Sequence, residues 1–300
     1  MSALPTKPAS APGGMPVQTP QQQMQQALQA AKMQEAMKLR MAIAENLRHI
    51  KRKYIVMSGK GGVGKSTVAV NLAAALAKEG KKVGLLDLDL TNPNVPLMLN
   101  LEDAKPGGQA DQIIPVALGD NLLVMSTEFF LKGRDAPIIW RGPIKMNMIQ
   151  QLLGNVAWGE LDYLIIDLPP GTSDEPLTIA QMLRDADGVI LVTTPQKVSV
   201  LDVQKSIGFA RTMHLKVAGV IENMGAFACP HCHKTTDIFG KGGGDELSSE
   251  YGVPLLGKIP LDPAVVQAGE KGIPFVWRYP ESATAEAFRA AIAEIRKKEG

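Results

Sequence analysis

The run Met57-Ser58-Gly59-Lys60-Gly61-Gly62-Val63-Gly64-Lys65-Ser66-Thr67 constrains this chain more than any other stretch. It fits the phosphate-loop pattern G-x-x-x-x-G-K-[ST] from Gly59 to Ser66. Tyr54-Ile55-Val56-Met57 before it reads as a short strand, and the alanine-rich run Val68 to Lys78 after it reads as an amphipathic helix. The motif therefore has the strand and helix context it needs. Glycines carry no Cβ and reach positive φ cheaply, so the backbone N–H groups between Gly59 and Thr67 can point at phosphate oxygens. The following helix adds the positive end of its dipole. Lys65 supplies a mobile cation for the β- and γ-phosphates, and Ser66 a hydroxyl ligand for Mg²⁺. Lys60, directly after the first glycine, is a second cation that one triphosphate does not require. At that point in the loop it is placed to point toward a neighbouring subunit, where a cation beside transferring phosphate has an electrostatic use.

The rest of the chain supplies the frame for such a loop. With 45% hydrophobic and 21% charged residues in 300, the chain can bury a large core, and no run of 18 uncharged apolar residues is present. The first twenty residues are rich in Pro, Ala and Gln and lack a signal peptide's apolar region, so a disordered tail over 1–20 and a cytoplasmic location are expected. Residues 21–52 shift to helix formers, with Met24, Leu28, Met33, Met37 and Leu47 loosely at helical spacing, and predict a basic helix and linker. Residues 1–53 hold eight Lys or Arg against two Glu, whereas the remainder is net acidic. That basic arm is either a solvated helix end or a contact for nucleic acid or an anionic membrane. From residue 53 to 300 strands and helices alternate. Strands are expected at Lys82–Leu86, Asn121–Met125, Leu161–Asp167, Gly188–Thr193, Val217–Ile221 and Val253–Ile259. Helices are expected at Pro143–Leu153 and Ser199–Met213 and from Pro263 and Ala283. The pattern predicts an α/β fold, a mostly parallel sheet with helices on both faces, its ligands gathered at the carboxyl ends of the strands.

Two aspartates fall at such ends. Asp167 closes Leu164-Ile165-Ile166 and fits a Walker B ligand of Mg²⁺, and Asp89 follows the end of the Lys82–Leu86 strand. With its two lysines, the loop resembles the deviant P-loop class of the nitrogenase iron protein, the arsenite-pump ATPase, MinD and ParA. The resemblance implies nucleotide-dependent dimers in which Lys60 reaches the partner's nucleotide and Asp89 positions water or metal. It also implies that Asp167 to Thr172 is a switch whose Gly171 N–H senses the γ-phosphate.

The two cysteines stand three positions apart in Cys229-Pro230-His231-Cys232-His233 and cannot staple a chain of this length. Four readings are open. C-x-x-C-H is a haem-attachment signature; Cys-Pro-His-Cys matches a thioredoxin-like redox pair; a structural zinc could take both thiolates with His231 or His233; or the pair ligates an iron–sulfur cluster. A four-iron cluster wants four thiolates, and two chains related by a two-fold axis would supply them.

The P-loop, Asp87 to Pro96, Trp140-Arg141-Gly142-Pro143, Asp167 to Thr172, Ile221-Glu222-Asn223-Met224, Cys229 to Cys232 and Ile259-Pro260-Leu261-Asp262 together resemble the Mrp/ApbC/Nbp35 family of iron–sulfur cluster carriers. That resemblance implies a P-loop ATPase domain over 53–300 with the CxxC segment inserted at 226–236. It also implies a homodimer that binds ATP and Mg²⁺ and hydrolyses ATP weakly. A labile [4Fe–4S] cluster sits between the subunits and is handed to apo-proteins. Asn223 and Pro260 would hold the adenine. The sequence departs from the family at His233, where glycine is commoner, and at Thr91-Asn92 before Pro93; the first keeps zinc open as the alternative metal. A ParA- or MinD-like positioning ATPase on DNA or membrane is the competing class.

Overall fold

Three strand ends carry the chemistry, and the register of one sheet brings them side by side. The computed structural model describes residues 19–109, 112–131, 142–229, 232 and 234–299. The expected tail up to residue 18, and Trp140, Arg141, Pro230, His231 and His233, lie outside that set. Among the described residues the strands are β1 (Ile50–Ser58), β2 (Val83–Asp87), β3 (Gly107–Gln109), β4 (Gln112–Ile114), β5 (Val116–Leu118), β6 (Leu122–Ser126), β7 (Leu161–Asp167), β8 (Gly188–Thr193), β9 (Val217–Glu222), β10 (Phe227–Ala228), β11 (Thr235–Thr236) and β12 (Leu255–Lys258). The helices are α1 (Pro20–Leu47), α2 (Lys65–Lys78), α3 (Val95–Met98), α4 (Gly142–Gly154), α5 (Asp174–Met182), α6 (Lys197–Thr212), α7 (Gly243–Tyr251), α8 (Pro263–Glu270), α9 (Phe275–Arg278) and α10 (Ala283–Arg296).

Eight strands form the central sheet in the order β12-β9-β8-β1-β7-β2-β6-β5. Every pairing is parallel except β5, which runs antiparallel to β6 at one edge. All residues of β2 and β8 are buried, as expected of parallel strands covered on both faces, which read as continuous apolar runs rather than alternating ones. β1 lies between β8 and β7, so the glycine loop that leaves it emerges mid-sheet. Asp87 pairs in register with Asp167, and Asp167 with Val56. The phosphate loop and the two acidic strand ends are therefore neighbours by construction, at the edge where parallel sheets hold their ligands.

α2 carries the loop's lysine into the core. Its alanines at 69, 73, 74, 75 and 77 are buried, and small side chains let the helix lie close to the sheet. Asn71 is buried but satisfied: its Nδ2 donates to Thr67 O at 2.9 Å and its Oδ1 accepts from Val276 N at 3.1 Å. α10 is capped by Ser282, whose Oγ accepts from Ala285 N at 3.1 Å. It buries Phe288, Ala291, Ile292 and Ile295, so the apolar side of this last helix belongs to the core.

The chain divides into two units, 1–41 and 42–300. In the first, Met24, Leu28, Met33, Met37 and Met41 are exposed. In the second, Ile43 and Leu47 are buried, and Asn46 Nδ2 donates to the carbonyls of Leu153 and Val156 at 2.9 and 3.1 Å. β1 begins at Ile50, inside the span expected for helix and linker, because Ile50 and Arg52 pair with Leu161 and Tyr163 of β7.

Candidate functional site

The loop from Gly59 to Ser66 is held from beneath and beside. Val63 is buried while Gly61 and Gly62 are exposed, so one apolar side chain pins a loop whose crest stays open. Gly62 and Gly64 have φ of 81° and 82°, conformations that cost a side-chain-bearing residue about 1–2 kcal/mol. At Gly59 an added Cβ would lie 2.4 Å from the Asp202 carbonyl carbon of α6, so the loop and the first turns of α6 pack without room for a methyl group.

Lys65, Ser66 and Asp167 meet at one point. Lys65 Nζ lies 2.6 Å from Asp167 Oδ1, and Ser66 Oγ donates to Asp167 Oδ2 at 2.5 Å. Lys65 is 6% exposed and Asp167 fully buried, so each charge is compensated mainly by the other. A hydroxyl and a carboxylate oxygen this close form the kind of hard-oxygen set that suits Mg²⁺. Asp89, in the loop after β2, is also buried; its Oδ1 accepts from the N–H groups of Thr91 and Asn92 at 3.3 and 3.1 Å. Burial pushes its carboxyl above the ordinary range.

Asp87 organises the Asp89 loop. Its Oδ1 accepts from Asp89 N at 3.0 Å, and its Oδ2 from Ser126 Oγ at 3.1 Å and Val95 N at 3.4 Å. Burial first, and then the adjacent Asp167 carboxylate, push its pKa up to about 8. The folded state thus holds a proton that the unfolded chain releases near 3.8. Its stabilising contribution is complete below the lower value and fades as pH rises toward the upper one. In nucleotide- and metal-free protein, the urea midpoint is expected to fall between pH about 5 and about 8, and Asp87→Asn should flatten that slope. A wild-type midpoint that rises over this interval would remove the assignment.

A cleft of about 530 Å³ opens above these groups. Ser58, Lys60, Lys65, Ser66, Thr67 and Asp89 line its floor, and Leu97, Met98, Val265, Val266, Gly269 and Glu270 of α3 and α8 form an outer wall. Lys60 is half-buried and, among the described residues, pairs with no carboxylate. Asn223 and Pro260, expected to hold a base, do not line this cleft. The Asn223 Nδ2 donates to Val63 O at 2.9 Å from beside the loop. Gly171, expected to face a γ-phosphate, has φ of 85° and donates its N–H to Ser58 O at 2.8 Å. Sequence reasoning missed Lys145 of α4, whose Nζ reaches Glu175 Oε1 at 2.6 Å and Thr91 Oγ1 at 3.5 Å. It also missed the α8 wall, although Asp262-Pro263 is a legible helix start: Asp262 Oδ1 accepts from Ala264 N at 2.9 Å.

The cysteines do not line this cleft; they belong to a two-stranded hairpin. β10 pairs antiparallel with β11, and Cys229 N donates to Lys234 O at 3.0 Å. Cys229 is half-buried and Cys232 exposed. Among the described residues no group of three or more His, Cys, Asp or Glu is arranged to hold a metal ion.

A glycine loop on the central strand, a lysine and a serine on a buried strand-end aspartate, and a parallel sheet beneath them define a P-loop NTPase. The family described as ParA: NUBPL iron-transfer P-loop NTPase matches residues 49–296, and the chain belongs to that family. It is 50% identical over 256 residues to an iron-sulfur cluster carrier protein of Methanocaldococcus jannaschii, covering 85% of this chain and 88% of the relative. It is also 50% identical over 237 residues to the cytosolic Fe-S cluster assembly factor CFD1 of Kluyveromyces lactis, covering 77% and 84%. Among solved structures, a nucleotide-binding protein in complex with ADP from Archaeoglobus fulgidus superposes with a TM-score of 0.72 at 39% identity, covering 83% of this chain and 96% of that one. The cell division ATPase MinD of Pyrococcus furiosus superposes at 0.61 and 25% identity, covering 83% and 99%.

Proposed function

We propose that this chain is an ATP-hydrolysing iron–sulfur cluster carrier that acts as a homodimer and passes a [4Fe–4S] cluster to apo-proteins. The observation that carries this reading is the Cys229/Cys232 hairpin: one half-buried and one exposed thiol on a short two-stranded hairpin of a nucleotide-binding domain, too few for a cluster by themselves. Relatives named as cluster carriers and assembly factors support it. So does the spread of exposed apolar side chains at the nucleotide edge of the sheet. Leu97 on α3, Val198 and Leu201 in the first turns of α6, and Val266 in the first turn of α8 are each at least half exposed. All belong to elements that follow a parallel strand and so start at that edge.

In this reading Gly59 to Thr67 bind the triphosphate, and Ser66 and Asp167, with Asp89 nearby, would hold Mg²⁺. The metal supplies charge neutralisation on the β- and γ-oxygens. Lys65 follows the charge that develops on those oxygens as the terminal phosphoryl group leaves ADP for water, and Asp89 orients that water. Lys60 acts on the partner's nucleotide. The alternative of a positioning ATPase on DNA or membrane fits less well. Lys51 pairs with Asp162 at 2.8 Å, Arg52 with Asp187 at 2.8 Å and Lys53 with Asp185 at 3.2 Å, so the basic run of the arm meets acids of its own unit. No helix among the described residues is long and apolar enough to cross a membrane.

Light scattering with and without ATP·Mg²⁺, followed by anaerobic reconstitution with iron and sulfide, tests the reading; a chain that stays monomeric and takes up no iron would end it. Lys60→Ala is expected to bind ATP yet lose hydrolysis by roughly 10²–10³-fold, the size of removing one preorganised charge-stabilising donor. Wild-type turnover in that variant would exclude the cross-subunit role.

A further inference from the structure

The phosphate loop and the cysteine hairpin are joined by one side chain. Asn223 directly follows β9 and is 7% exposed. Its backbone N–H donates to Thr193 O at 2.7 Å, which locks it to β8. Its Nδ2 donates to the carbonyl of Val63 at 2.9 Å, the peptide whose own N–H side continues into Gly64. The fit is close: a Cβ on Gly64 would stand 2.2 Å from that Nδ2. Any rotation of the Val63–Gly64 peptide toward or away from a phosphate therefore moves the oxygen to which Asn223 is bonded.

The hairpin begins immediately beyond. Met224 has φ of 55°, a left-handed conformation that a methionine holds only when its surroundings impose it. Gly225 N then donates to Ile259 O at 2.9 Å, Leu261 N donates to Ala226 O at 3.2 Å, and Phe227 forms a parallel bridge with Leu261. Cys229 lies two residues further on. The same 259–261 segment runs into Asp262, the cap of α8, whose Val265, Val266, Gly269 and Glu270 wall the cleft. The root of the cysteine hairpin is thus tied on one side, through Asn223, to the phosphate loop whose glycines and Lys65 line the cleft, and on the other, through the 259–261 segment, to α8, which walls it.

We propose that Asn223 is a positioning residue that couples the phosphate loop to the cysteine hairpin, so that nucleotide in the cleft alters the exposure of the thiols. This rests on the carrier reading for its purpose, since thiols that change with nucleotide are a gate on cargo. It is separate from the expectation that the Asn223 amide reads the adenine ring, because the bond to Val63 uses only Nδ2. When phosphate orders Val63 and Gly64, the Asn223 bond tightens, the strained Met224 turn is held, and the hairpin root follows.

The test uses full-length, reduced, cluster-free protein, so it does not depend on cluster uptake. The rate at which a maleimide labels Cys232 is measured with and without ATP·Mg²⁺ at a concentration shown by titration to saturate each variant. Wild type is expected to change by at least about fivefold, the lower end of ordinary coupling between sites, and Asn223→Ala to show a change close to none. Hydrogen exchange on wild type gives a variant-free second readout: amides of 225–229 should respond over the same ATP range as those of 61–65. A wild-type response retained in Asn223→Ala, an unresponsive hairpin in wild type, or an Asn223→Ala protein that no ATP concentration saturates would each overturn the proposal. A chain that shows the coupling but takes up no cluster would overturn only the carrier reading.

Discussion

Lys65→Ala is expected to abolish useful ATP binding and to weaken the fold at the same time, and the two losses are separable. The Lys65 ammonium makes charge-assisted contacts to the β- and γ-phosphates in the proposed complex, each worth about 1.5–3 kcal/mol. Their loss corresponds to roughly 10²–10⁴-fold in Kd. The fold suffers for a different reason. Nζ sits 2.6 Å from Asp167, which is fully buried beside the equally buried Asp87. Taking away one partner of such a pair costs about 3–5 kcal/mol, because the other charge stays buried without compensation. Adding Asp167→Asn to Lys65→Ala removes that stranded charge, so the double variant should regain most of the stability and none of the nucleotide affinity. Denaturant unfolding without nucleotide, and calorimetric titration with ATP, measure the two effects independently. A Lys65→Ala protein that binds ATP like wild type would overturn the placement of the triphosphate.

What the sequence made legible here follows from how local each signal is. The phosphate loop, the β7 aspartate and the parallel strands are contiguous patterns, since a strand buried on both faces shows itself as an apolar run and a glycine loop as a motif. The strands expected at Leu161–Asp167 and Gly188–Thr193 lie at those residues. Features made by pairing across the chain were not legible. Lys145 meets partners 54 and 30 residues away, and no spacing rule links them. The bond from Asn223 to Val63 spans 160 residues, and without it Asn223 reads as a free amide at a strand end. The work of Asp87 was not legible either, because it is done by full burial and by Ser126, 39 residues away. The short strands β3, β4 and β5, with two glycines in β3 and mixed burial, lack the apolar run that announced the others.

Replacing both thiols, as Cys229→Ser with Cys232→Ser, is expected to remove iron and sulfide uptake while leaving the fold and ATP binding near wild type. The reasons lie in the hairpin. Cys232 is exposed and Cys229 half-buried in a short two-stranded hairpin, and neither lines the cleft, so a thiol-to-hydroxyl change there is expected to leave core packing and the nucleotide site intact. Cluster binding has no such tolerance, because iron in these clusters is held by thiolate and a hydroxyl is a poor substitute. Among the described residues no second cluster of donors stands by to compensate. With two thiols per chain, the expected loaded species is one four-iron cluster per two chains. A wild-type chain mixed with the double-serine chain should load in proportion to wild-type pairs alone, so at equal amounts with random pairing about a quarter of the dimers remain competent. Metal analysis of the protein as expressed separates this from a structural zinc, which would be present before reconstitution and would hold the fold in its absence of iron. Four irons retained by the double variant, or a full cluster on a single wild-type chain, would show that the sulfur ligands do not come from a pair of Cys229/Cys232 hairpins.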